Sequence, residues 1–221
     1  MQLALISDVH ANFEALSVLA DVLGQVDQVL CLGDLIGYYC QVNEVIDYIR
    51  NLNARCVLGN HDSFLFRGVP PNVHPHVRFG IEFARRVITD ENADWLKGLP
   101  LTWGGFIGGR SFLLVHGSPW RPLGDYLYSD NPSSQKLDAF GYDVIAFGQT
   151  HRAVYRLERA PYLLNPGSVG QSRDERALAC MFVFDTESMT VRKIERRFDA
   201  EKVIDLAKRN GAGEWIGKHL G

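Results

Sequence analysis

The chain has 221 residues, 46% of them hydrophobic and 22% charged, the balance of an ordinary soluble globular protein that can bury a substantial core. A formal charge of -3 argues against the basic surface that broad nucleic-acid binding needs, but leaves room for a small phosphate ester held by local charges. No run approaches the eighteen or so apolar residues that span a membrane, so no membrane partner is expected.

Asp8 interrupts the apolar start "MQLALISDVH", which reads as a strand and not as a leader. "LALIS" is a buried strand. From Asn12, its expected N-cap, to about Leu23, the apolar Leu16, Leu19, Ala20 and Leu23 follow helical spacing. "QVLCLGD" is a second strand. "NEVIDYIRNLN" is a second helix, capped by Asn43, with Val45, Tyr48, Ile49 and Leu52 on one face. "ARCVLGN" is a third strand. Apolar strands separated by helices imply an α/β fold with a parallel sheet covered on both faces.

Residues 64 to 100 read as a cap-like segment beside that sheet. It comprises a proline-rich loop "FRGVPPNVHPH", an amphipathic "VRFGIEFARRVI" and a short capped helix "TDENADWLKGLP". "GGFIGGR" lacks the Lys-Ser/Thr of a phosphate loop and reads as a hairpin turn into a strand. The second half is strand-rich: "SFLLVHG", "DVIAFGQ", "PYLLNPG", "LACMFVFD" and "VRKIERR". Some of these follow one another through tight turns, so part of the sheet must be antiparallel. A helix from about Asp199, with Val203, Ile204 and Ala207 inward, closes what reads as one domain over 1–221. Cys31, Cys40, Cys56 and Cys180 show no CxxC spacing and are expected to be reduced and buried, as in a cytoplasmic protein.

Open α/β sheets place their sites beyond the carboxyl ends of the strands. Those ends supply Asp8 and His10 from "SDVHAN", Asp34 from "LGDLIG", and Asn60, His61 and Asp62 from "GNHDS". His116 follows in "VHGSP", and Gln149 and His151 in "GQTHR". A mixture of carboxylate, imidazole and amide oxygen suits borderline divalent metals. Two ligands separated by one residue, as Asp8 and His10 are, can hold one ion, and a lone carboxylate such as Asp34 can bridge two. Taken singly, an Asp-x-His is common and "LGD" at a strand end is more often a turn than a ligand. Five such ends in one order are not explained that way.

In that order the chain resembles the calcineurin-like metallophosphoesterases, whose blocks are DxH, GD, GNH[DE], a strand-end His and GHxH. It is most similar to their small bacterial and archaeal phosphodiesterase-like branch, which "LLNPGSVGQSRD" also resembles. The resemblance implies a four-layer αββα sandwich of two mixed sheets flanked by helices. It implies two divalent metal ions, with manganese expected and iron, zinc, nickel or magnesium as alternatives. Asp8, His10 and His151 would bind the first ion, Asn60 and His116 the second, and Asp34 would bridge them. His61 would act as general acid or electrostatic partner of the phosphate, oriented by Asp62. The implied reaction is hydrolysis of a phosphodiester or phosphomonoester by metal-bound hydroxide. The other readings of the same fold are a non-catalytic metal-binding scaffold and a nuclease.

Two departures matter. "GDLIGYY" lacks the second Asp and the Arg of the protein-phosphatase GDxVDRG, which argues against that substrate class. GHxH is here "GQTH", so Gln149 stands where an imidazole would ligate the second metal. Arg152 is a candidate contact for a substrate phosphate. His74 and His76 are expected in a solvated loop. Trp120, Tyr126 and Tyr128 are expected to pack the cap more than to line a cleft. The sequence leaves the substrate unnamed and a homo-oligomer open.

Overall fold

The computed structural model describes residues 1–128 and 132–220. The chain opens with strand β1 (Gln2–Ile6), helices α1 (Phe13–Ser17) and α2 (Ala20–Leu23), strand β2 (Gln28–Cys31), helix α3 (Val42–Asn51) and strand β3 (Arg55–Cys56). Each crossover carries a helix, so β1, β2 and β3 pair in parallel. Helices α4 (Asn60–Arg67), α5 (Pro75–Val87) and α6 (Asp90–Lys97) follow. The glycine-rich stretch then makes a hairpin of β4 (Thr102–Ile107) and β5 (Arg110–Val115). Strands β6 (Val144–Ala146), β7 (Ala153–Arg156), β8 (Tyr162–Pro166), β9 (Leu178–Asp185) and β10 (Thr190–Arg197) precede helix α7 (Ala200–Arg209).

These strands form two five-stranded sheets, ordered β10-β9-β1-β2-β3 and β4-β5-β6-β8-β7. Both are mixed: β9 runs antiparallel to β1 in the first, and β4 and β7 run antiparallel to their neighbours in the second. The period of two along each strand sorts side chains into layers. Leu3 and Leu5 of β1 meet Phe112 and Leu114 of β5 and Phe182 and Phe184 of β9 between the sheets. Ala4 and Ile6 point the other way, into a core shared with Leu16, Val45, Ile49, Ile81 and Val203 of the helices. On the far side, Leu113, Val115, Ile145 and Phe147 pack with Leu127 and with Leu137 of a 3-10 helix, Pro132–Phe140. The sandwich implied by the family resemblance is therefore present.

Local readings need correction at several points. Asn12 does cap α1, accepting from the Ala15 N–H at 3.0 Å, but the helix expected to reach Leu23 breaks at Leu19. There the chain tightens to Leu19 N–H to Leu16 O and Val22 N–H to Leu19 O, both 3.1 Å. Asn43 does not cap α3, which starts one residue earlier with Gln41 as N-cap residue. Instead Asn43 accepts from the Thr89 N–H and donates to Val87 O, tying α3 to the start of α6. Gln41 serves α1, its Oε1 accepting the N–H groups of Phe13 and Glu14. His76 is buried against Tyr38, Tyr39 and Trp215, with ring centroids 4.7, 5.4 and 5.1 Å away, and not solvated. All four cysteines are free and buried, as expected. Among the described residues no helix is long and apolar enough to cross a membrane.

Candidate metal centre

Asp8 and His10 follow β1, Asp34 follows β2, and Asn60 and His61 open α4 after β3. His116 follows β5, while Gln149 and His151 follow β6. Five of these residues adopt left-handed backbone without being glycine: Asp8 (φ 54), His10 (φ 54), Asp34 (φ 56), Gln149 (φ 66) and His151 (φ 57). That conformation is costly for such residues and persists where the surroundings over-determine it. Here neighbouring loops hold it, through Asp8 N–H to Gly33 O and His10 N–H to Asp34 O, both 3.0 Å, and Gly170 N–H to Asp8 O. The result is that side chains from both sheets turn into one buried cleft.

The imidazoles enter with Nε2 foremost. Nδ1 of His10, His116 and His151 is bonded to the carbonyls of Ile36, Leu32 and Gln171, at 3.2, 2.7 and 2.7 Å. A ring that donates from Nδ1 keeps the Nε2 lone pair for a ligand bond. On one side, His151 Nε2 lies 3.0 Å from His10 Nε2 and 3.2 Å from Asp8 Oδ1. On the other, His116 Nε2 lies 2.9 Å from Asn60 Oδ1 and 3.4 Å from Asp34 Oδ2. Asp34 Oδ2 is also 3.9 Å from both His10 Nε2 and His61 Nε2, so it stands between the two groups.

Burial alone would raise the Asp34 carboxyl, but His116, His61 and His10 hold it well below the usual carboxylate range. Burial pulls His116 down, and the Asp34 carboxylate more than reverses this, carrying it up to about 10. Burial keeps His10 well below its ordinary value. A cation at His116 would compete with a proton for the same nitrogen. The residues fit such a cation. Asp8 Oδ1 and Gln149 Oε1 are buried without a hydrogen-bond partner, and Asp8–His10–His151 and Asp8–Asp34–His116 each bring their donor atoms within 4.8 Å.

Gln149 is drawn in by its own backbone, whose N–H donates to Asp8 Oδ2 at 3.0 Å. Its side-chain oxygen lies against Gly117, where a Cβ would meet it at 2.5 Å, and so on the His116 side. His61 rests beside Tyr38, Phe64 and His10, and burial lowers its pKa despite the nearby Asp34. Asp62 turns away from the cleft: its carboxylate accepts the N–H groups of Asp34, Ile36 and Gly59. Arg152 is exposed, its guanidinium 3.7 Å from Asp174. Trp120 packs against the outer apolar cluster, but Tyr126 and Tyr128 are exposed and stack on each other, contrary to the packing expected for them. The carbonyls of Leu32, Ile36 and Gln171, which orient the three imidazoles, carry no side-chain signal and were beyond sequence reasoning.

The sequence profile of the calcineurin-like phosphoesterase superfamily domain matches residues 1–189. The chain is 32% identical over 238 residues to the uncharacterized protein MJ0912 of Methanocaldococcus jannaschii, covering 99% of this chain and 96% of that one. Its fold is similar to a metallophosphoesterase from Sphaerobacter thermophilus, with a TM-score of 0.85, 28% identity and coverage of 100% and 98% of the two chains. It is also similar in fold to the hypothetical protein PH1004 of Pyrococcus horikoshii OT3, with a TM-score of 0.87 at 21% identity and the same coverage.

Proposed function

The chain belongs to the calcineurin-like phosphoesterase superfamily, and on that premise we propose that it hydrolyses a small phosphodiester or phosphomonoester with two divalent cations. The observation that carries this reading is the convergence of two donor groups on either side of Asp34. Asp8, His10 and His151 would hold one ion. Asn60 and His116, with Gln149, would hold the other, and Asp34 would be shared. Such a pair supplies an activated water and neutralises charge on the phosphate.

The chain's own residues do the rest. His61 forms a third group with His10 and Asp34, its Nε2 3.9 Å from the bridging carboxylate. It is the group we assign to protonate the leaving oxygen, work that typically contributes 10²–10⁴-fold. Asp62 keeps Asp34 in place through the backbone. The mixed nitrogen and oxygen donors suit manganese, with iron, zinc, nickel or magnesium as rivals. Four free cysteines fit the reducing cytoplasm.

The test is a screen of manganese-loaded protein against phosphodiesters and phosphomonoesters, with bound metal counted on the same sample. Hydrolysis that disappears on chelation is expected. Protein holding two metals but inert on every ester would favour the scaffold reading.

A further inference from the structure

A cavity of about 260 Å³ opens beside the candidate metal centre, lined by Tyr38, His74, Gln171, Ser172 and Arg173. The two spaces share a wall. The Tyr38 ring meets His10 edge-on at 4.4 Å and lies 5.0 Å from His61. The other wall is tied to a candidate ligand, because Gln171 O accepts from His151 Nδ1 and Arg173 N–H donates to His151 O at 3.1 Å. Arg173 is thus fixed by its backbone one step from the site.

Its guanidinium is differently employed from that of Arg152, which faces Asp174. Among the described residues Arg173 forms no ion pair. It lines the same cavity as Tyr38. Beside it, Ser172 Oγ accepts the N–H groups of Asp174 and Glu175 and so keeps its own proton to donate. A guanidinium fork and a hydroxyl match the terminal oxygens of a phosphoryl group.

Building on the phosphoesterase reading, we propose that this cavity is a second anion subsite. The substrate would then carry, beyond the phosphoester at the metal centre, a further phosphoryl group held by Arg173 and Ser172. Simple esters with one phosphate would be accepted as reagents but would leave the cavity unused.

The experiment uses two non-hydrolysable probes, propylphosphonate and propane-1,3-diphosphonate, titrated calorimetrically into full-length protein in saturating manganese. The diphosphonate should bind roughly tenfold more tightly or better, as expected for added charge-assisted hydrogen bonds. Arg173→Ala should erase that advantage while leaving monophosphonate affinity and metal content unchanged, and Arg173→Lys should retain part of it. An advantage that survives Arg173→Ala would belong to the metals and overturn the subsite. So would an equal loss for both probes, which would place Arg173 on the scissile phosphate, or equal binding by the unaltered protein. Because the readout is binding, a failure to hydrolyse any ester would sink the phosphoesterase reading without deciding this one.

Discussion

Asp62 holds the backbone from which Asp34 projects, and the neighbouring His61 backbone holds the Asp34 carboxylate in turn. Asp62 Oδ2 accepts the Asp34 N–H at 2.9 Å, while the His61 N–H donates to Asp34 Oδ1 at 2.8 Å. The same Asp62 carboxylate accepts from Gly59 and Ile36. Burial and the Asp34 charge push Asp62 up to about 7, with the Gly59 and Ile36 N–H groups pulling it back. Asp62→Ala strands three buried donors, each costing about 1–3 kcal/mol. We expect a drop of at least about 3 kcal/mol in the denaturant stability of metal-free protein, together with weaker metal binding. Unchanged stability would refute the bracing role.

Asp34→Asn removes the charge that stands between the two donor groups, 3.4 Å from His116 and 3.9 Å from His10. Two cations without it repel each other. Metal content should fall below two per chain, and hydrolysis of an aryl phosphodiester should drop to background. Full activity with two ions bound would remove the basis of the assignment.

His61→Gln should lower turnover by roughly 10²–10⁴-fold with metal content retained, and the loss should shrink for esters with acidic leaving groups. Gly37→Ala offers an independent route to the same phenotype. Gly37 sits at φ +101, and a Cβ there would come within 2.4 Å of His61 Nδ1. We expect a similar leaving-group pattern, read from a series of aryl esters. A loss independent of leaving group in both variants would limit His61 to binding phosphate.

Gln149 presents a buried oxygen without a partner where an imidazole would bind more strongly. Gln149→His should raise second-site affinity by about tenfold, the low end of what changes to the outer-shell partners of metal ligands bring. The gain in activity should be largest at low metal. Harder ions such as manganese should profit less from the change than zinc. Identical second-site affinities in calorimetric titrations would show that the substitution is without consequence.

The side chains gathered at this cleft were legible because carboxylate, amide and imidazole groups at the ends of apolar strands stand out from their flanks: Asp8, His10, Asp34, Asn60, His116 and His151 all follow strands. The buried strands were legible for a related reason, their unbroken apolar runs. Strand β4 was not, since Gly104 and Gly105 suit a strand poorly and its neighbours face solvent. Strand β7 is short and half-exposed, with no alternation to read. The break at Leu19 escaped because Leu16, Leu19, Ala20 and Leu23 satisfy spacings of three and four alike. Asp62 resembled an orienting carboxylate because its partners are backbone groups from loops remote in sequence. Arg152 and Arg173 look alike in the sequence, and only the fold shows that Arg152 has Asp174 beside it while Arg173 lines the cavity.

The candidate ligands are divided between the sheets: Asp8, His10, Asp34 and Asn60 from the first, His116, Gln149 and His151 from the second. Between those sheets lies an apolar core, which holds them together without fixing direction. Ions at the rim would rivet one sheet to the other, so their binding would be linked to the stability of the fold. A ligand at a hundredfold excess over its dissociation constant adds about 2.7 kcal/mol to the folded state. The melting temperature should therefore climb with the logarithm of manganese concentration and fall on chelation. Asp34→Asn should flatten that slope. A cell short of the metal would then lose the protein to unfolding and proteolysis as well as to idleness.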